Sequence, residues 1–173
     1  MGPPAVRVQG TSAEVKKVTS RVFVALRVPA APARAFEAFT REIASWWRPD
    51  SLFRITPDGD GELAFEPGVG GRLVSRLGNG ETFEIGRISV WEPGKRLVFA
   101  WRQASFAPEQ STEVEVRFEP VGRETRISIE HRAWDTIPRR HAARHGFPEH
   151  VTLQRVADWW RGSLGTLRLR LSV

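Results

Sequence analysis

Between residues 21 and 28 apolar side chains fall at every second position: in RVFVALRV, Val22, Val24, Leu26 and Val28 alternate with other residues. A strand sends successive side chains to opposite faces, so this spacing predicts a first strand with one buried face. Pro29 and Pro32 end it, and Pro32 suits the first turn of a helix carrying Ala35, Phe36 and Phe39 on one side. A second short helix is expected over 41–47, stopped by Pro49. From Ser51 to Arg132 short extended runs are divided by turn chemistry: Pro57-Asp58-Gly59-Asp60-Gly61, Gly68 to Gly71, Gly78-Asn79-Gly80, Glu92-Pro93-Gly94-Lys95 and Pro120-Val121-Gly122. The clearest strands are 82–90, 97–102, 113–118 and 125–132, an antiparallel meander. Val114, Val116 and Phe118 alternate with Glu113, Glu115, Arg117 and Glu119, and Ile127 and Ile129 with Arg126, Ser128 and Glu130, so one face is expected to be wet. Gly86 inside a strand marks a bulge, switching the inward register from Phe83 and Ile85 to Ile88 and Val90.

A short helix is predicted over 136–146, with Pro138 near its start and Gly146 beyond its end. A longer helix over 148–170 sets Val156, Trp160, Leu164 and Leu167 on one face. At 1.5 Å per residue it spans roughly 33 Å, enough to cross a sheet. Gly162 and Gly165 weaken its interior, and close approach to the sheet would account for them. The order of elements is α+β, with helices on one face of an antiparallel sheet. Residues 1–14 read as a mobile N-terminal tail and 15–173 as a single domain.

Two segments share a pattern, IASWWRP and VADWWRG, and together hold four of the seven tryptophans in a chain without tyrosine or cysteine. They belong to different elements and nothing around them repeats, which excludes duplication. Adjacent helical residues point about 100° apart, so one ring of each pair is expected to face inward, Trp47 and Trp160, with Trp46 and Trp159 toward the rim. Rigid aromatic walls suit apolar or flat ligands. The absence of cysteine removes disulfides and thiolate chemistry and agrees with a reducing compartment, so the expected location is cytoplasmic. No apolar run is long enough to cross a bilayer. The formal charge of +6 arises from arginines that alternate with glutamates along most of the chain, which argues against a nucleic-acid groove.

The run Pro32 to Thr40, Trp46-Trp47, Gly70-Gly71, Gly86-x-Ile88, Glu92-Pro93-Gly94-Lys95-Arg96-Leu97 to Trp101 and Thr112-x-Val114-x-Val116-x-Phe118 forms an ordered series. It continues through Thr125, Ile127, Ile129 and His131 to Trp160, Leu164 and Leu167. This series resembles the family of bacterial homologues of the heat-shock-protein ATPase activator, within the START-like (SRPBCC, helix-grip) superfamily. The resemblance implies a curved antiparallel sheet wrapped around a long C-terminal helix, two short helices after the first strand, and an apolar cavity between sheet and helix. It also implies a hydrophobic ligand, a chaperone as protein partner, or cyclase-like or dehydratase-like catalysis. Trp159 stands where the family usually has glycine, which implies a narrower cavity mouth.

The residues expected to line that cavity are Trp47, Phe53, Phe65, Leu73, Phe83, Ile85, Trp101, Val116, Ile129, His131, Trp134, Trp160 and Leu164. His131 continues the inward register of Ile127 and Ile129 and is the one candidate for acid–base work. No second titratable group stands beside it in the pattern, so a purely structural role is the alternative. His141 and His145 share a helical spacing used by zinc ligands, but Arg139, Arg140 and Arg144 surround them, and no metal or other cofactor is expected. The glycine pairs do not open helices, so they are turns and not phosphate loops. The functional expectation is a binding protein for a small hydrophobic or aromatic molecule. The alternatives are a protein-interaction module using Arg139 to Arg144 and the outer sheet, and an enzyme using His131. A monomer and a homodimer, seeded by an exposed Trp46 or Trp159, are both compatible.

Overall fold

A computed structural model describes residues 20–50, 54–56, 61–138 and 140–173. The expected tail over 1–14, Phe53, Arg139 and most of the 57–61 turn lie outside the described residues. Seven antiparallel strands, β1 (Val22–Val28), β2 (Glu62–Phe65), β3 (Arg72–Arg76), β4 (Thr82–Glu92), β5 (Arg96–Trp101), β6 (Thr112–Val121) and β7 (Glu124–Arg132), form one sheet in the order β1-β7-β6-β5-β4-β3-β2. The last strand returns beside the first, Val24 opposite Ile129, and the rest is a meander. Helices α1 (Pro32–Arg41) and α2 (Ile43–Trp46) follow β1, and α3 (Glu149–Leu171) closes the chain. The result is a curled sheet holding a long helix, the helix-grip arrangement.

The apolar alternation decides which face is covered. Val22 and Val24 of β1, Ile127 and Ile129 of β7, Val114, Val116 and Phe118 of β6, and Leu97, Phe99 and Trp101 of β5 all point to the helix side and are buried. Val156, Trp160, Leu164 and Leu167 of α3 meet them, each fully buried, as their spacing predicts. At about 25 cal/mol per Å² of apolar surface removed from water, each such side chain contributes on the order of 2 kcal/mol.

Several local expectations are corrected. The bulge near Gly86 is present, with Ile85 the additional residue between Leu73↔Gly86 and Val74↔Glu84. A second irregularity follows at Ser89, between Ile88↔Phe99 and Val90↔Val98. It returns the register, so Trp91 and not Val90 reaches the core, where it meets Phe36 at 5.1 Å. Two bulges in one strand bend it, which helps the sheet curl around α3. Gly86 is needed for another reason: a Cβ there would stand 1.7 Å from the Ala100 carbonyl oxygen.

The segment expected as one helix over 136–146 forms two 3₁₀ turns, Trp134–Thr136 and Ala142–Arg144. Ala133 (φ 69°) and His145 (φ 49°) adopt left-handed backbone at their flanks, and Pro138 cannot donate within a continuous helix. The outer face of the sheet is also drier than its alternation suggests. Glu115 is 4% exposed, clasped by Arg96, Arg117 and Arg132 from its own and neighbouring strands. Gly162 and Gly165 do not approach the sheet closely; a Cβ at Gly165 would meet nothing within 4 Å.

Candidate functional site

Where β5, β7, α3 and the end of α2 converge, four indoles meet. Trp47 stacks on Trp101 at 5.5 Å between centroids and presents edges to Trp159 at 5.0 Å and Trp160 at 5.9 Å. Trp159 and Trp160 are 4.8 Å apart. Offset and edge-on contacts of this kind suit the ring quadrupoles and add roughly 1 kcal/mol each beyond area burial. The rings expected to line a cavity therefore touch one another across this part of the interior.

Their depths differ from the helical expectation. Trp46 is fully buried and donates its indole N–H to the Ala38 carbonyl at 3.0 Å, while Trp47 is 9% exposed. The reason is local: Trp47 is already past the end of α2, in extended backbone (φ −60°, ψ 131°), so the 100° step no longer relates the two rings. Trp160 is fully buried as expected, and Trp159, at 7%, is nearly so. Neither Trp46 nor Trp159 is an exposed ring that could seed a dimer.

His131 joins the cluster from β7. Its Nδ1 accepts from the Trp160 indole at 3.1 Å, and its Nε2 lies 2.7 Å from Thr112 Oγ1. An indole N–H can only donate, so Nδ1 carries the lone pair, and Nε2–H donates to the threonine. Thr112 Oγ1 in turn reaches the Trp101 carbonyl at 3.4 Å. Complete burial pushes the imidazole pKa down to about 3, so the ring is neutral across the physiological range. Both nitrogens are committed to neighbours, which leaves the ring no free position from which to exchange a proton with a ligand.

The other expected lining residues separate into groups. Trp134 lies beside His131 at 5.0 Å, under the segment with the 3₁₀ turns. Phe65 belongs to a second aromatic group with Phe99 at 5.3 Å and Phe39 at 6.4 Å. Leu73, Ile85, Val116, Ile129 and Leu164 are fully buried core, and Phe83 is half-buried with Arg102 over its ring at 5.4 Å. The expected basic surface is also changed, because Arg144 turns inward. It is 2% exposed and donates to the carbonyls of Trp134 and Ile137 at 2.6 and 2.9 Å. His141 Nδ1 caps its own turn by accepting from the Ala143 amide. Among the described residues no three side chains of the metal-binding types come together.

Two clefts open at the margin of the indole cluster. The first, about 240 Å³, is lined by Arg48, Pro49, Asp50, Arg155, Asp158, Trp159 and Gly162. The second, about 260 Å³, is lined by Ala44, Trp47, Pro49, Gly61, Glu62 and Leu63. Trp159 and Trp47 thus each present one side to the cluster and another to a cleft, with Pro49 common to both clefts. The indole N–H of Trp159 donates to the Arg48 carbonyl at 3.1 Å and ties the segment after α2 to α3. Most of these residues were missed by the expected set. A signal was present, since Arg155, Asp158, Trp159 and Gly162 recur at i, i+3, i+4 and i+7, a second face of α3 beside its core face.

Comparison with known proteins agrees with this architecture. A family model described as "Activator of Hsp90 ATPase homolog 1-like protein" matches residues 29–170. No curated protein matches the sequence. Among solved structures, DynU16, from the dynemicin biosynthetic locus, superposes with a TM-score of 0.62 at 20% identity over 89% of this chain and 48% of that chain. The chain therefore spans about half the length of DynU16. CalU16 from Micromonospora echinospora gives 0.57 at 20% identity, covering 89% of this chain and 77% of its own. The Aha1 dimer from Colwellia psychrerythraea gives 0.57 at 19% identity, covering 88% and 96%. At these identities the structural likeness establishes the fold. Among the described residues no helix is long and apolar enough to cross a membrane.

Proposed function

The chain belongs to the Activator of Hsp90 ATPase homolog 1-like family, and from that premise we propose that it binds a small aromatic or hydrophobic molecule at the seam between α3 and the segment after α2. The observation that carries this reading is the position of Trp159 and Trp47, whose rings form the inner walls of the two clefts while packing edge-on at 5.0 Å. A ring held by neighbours on one side offers a rigid apolar surface with little ordering cost on binding. The clefts are smaller than the usual 300–1,000 Å³ of drug-sized sites, which favours a compact ligand. The site is thus displaced from the centre of the grip to its margin.

Two observations weigh against the alternatives. Catalysis by His131 conflicts with the double commitment of its nitrogens. A chaperone contact through the basic segment has less to use, because Arg144 is spent on carbonyls inside the molecule. The test is a screen of compact aromatic and alkyl compounds by calorimetry and thermal melting. A bound compound should quench indole fluorescence, and at a hundredfold excess over its dissociation constant should stabilise the fold by about 2.7 kcal/mol. Trp159→Ala should abolish both effects. Absence of any such compound from a broad screen would refute the proposal.

A further inference from the structure

The indole wall accounts for an apolar body in the first cleft but not for the charges around it. Arg48 leaves α2 directly after Trp47, and its carbonyl accepts the Trp159 indole, so the residue is pinned against α3. Its Nη1 lies over Gly162, 3.3 Å from where a Cβ would stand. Arg155 precedes Trp159 by one helical turn and rests on the Phe147 ring at 5.3 Å. Among the described residues neither guanidinium has a carboxylate partner, whereas both acids of the cleft are engaged. Asp158 accepts from Arg161 at 3.0 Å and Gln154 at 2.9 Å, and Asp50 has a partner of its own. The opening thus combines an indole surface, a helix floor without a side chain at Gly162, and two cations on different elements that form no ion pair among the described residues.

We infer that this cleft takes a small amphipathic anion, its apolar body against Trp159 and its carboxylate on the Arg48 guanidinium, with Arg155 adding positive charge farther along α3. The inference rests on the ligand-binding reading above and adds the charge and polarity of the ligand. A carboxylate matches the planar fork of a guanidinium, and a fork beside an indole wall fixes the direction in which the ligand lies. Nothing comparable frames the second cleft, whose charged lining residue is Glu62.

The experiment compares 2-naphthoate, octanoate and the neutral 2-naphthamide by calorimetry at low and moderate salt, on the intact chain and on Arg48→Gln/Arg155→Gln. Both arginines are exposed, and a thermal melt checks that the variant folds. Naphthoate should bind at least tenfold tighter than naphthamide, with the gap narrowing as salt rises. The double variant should erase the gap and leave naphthamide binding within about twofold of its original strength. Octanoate matching naphthoate would support the inference with alkyl acids as the class, and weaker octanoate would support it with aromatic acids. Equal binding of naphthoate and naphthamide to the unaltered chain would overturn the anion inference while leaving the cleft a binding site. A gap that survives the double substitution would overturn it too, and failure of all three compounds to bind would count against both readings.

Discussion

The Trp160–His131–Thr112 chain makes stability depend on pH from about 6.5 downward, starting above the range in which ordinary carboxylates titrate. In the unfolded chain an imidazole binds its proton near pH 6.5, whereas burial holds His131 at about 3 in the native fold. Below pH 6.5 the unfolded state therefore carries a proton that the native state refuses. Stability is unaffected above that point, falls by about 1.4 kcal/mol per pH unit below it, and levels once the native ring titrates. Between pH 7 and pH 5 the loss comes to about 2 kcal/mol, or roughly 4–8 °C in melting temperature for a domain of this size. The assay is urea unfolding at both pH values for the unaltered protein and for His131→Gln, which keeps a donor and an acceptor but cannot titrate. The variant starts lower, by about 2 kcal/mol, because an amide fills the imidazole's site poorly. Its further loss on acidification should be smaller than that of the parent by about 2 kcal/mol, since the two proteins differ in this one titrating group. Equal losses in the two proteins, or a native His131 resonance titrating near pH 6.5, would refute the reasoning.

Glu115→Gln should cost about 3 kcal/mol in urea unfolding at neutral pH, because it leaves Arg96, Arg117 and Arg132 around a buried neutral group. Burial alone would push that carboxyl up, but hydrogen bonds from Arg132 and Arg96 hold it down at about 2. The clasp's contribution is accordingly present above pH 4.5 and lost as pH falls toward 2, and the variant should lack that acid limb. Gly86→Ala should lower the melting temperature by more than about 6 °C, since the β4–β5 backbones must part to admit a methyl group 1.7 Å from the Ala100 oxygen. Gly165→Ala should raise stability by about 0.5–1 kcal/mol, because a methyl there meets open space and the helix gains propensity.

Much of the fold was legible as periodicity. Alternation in β1, β6 and β7 and the 156, 160, 164, 167 face of α3 each named the buried side of an element, since burial follows the geometry of strand and helix locally. His131 could be placed inward for the same reason. Periodicity says which way a side chain points and nothing of what stands opposite. Glu115 lies on the side marked as wet and is buried because arginines of adjoining strands lie over it. Trp46 lies deeper than Trp47, against the expected order, because the helix ends between them, and Val90 yielded to Trp91 because Ser89 bulges from the ladder.

The candidate site divides along the same line. That seven tryptophans, ten phenylalanines and no tyrosine would build an apolar aromatic interior was set by composition and spacing alone. Whether those rings enclose a space or close on one another depends on distances between elements far apart in the chain. Packing settled that the four indoles meet, and left room at their margin, where Arg48, on the segment after α2, faces the second side of α3 and where Trp47 faces Leu63 of β2. Local chemistry determines the faces of the elements; their close-packed docking, sensitive to a single methyl group, determines where a cleft can exist.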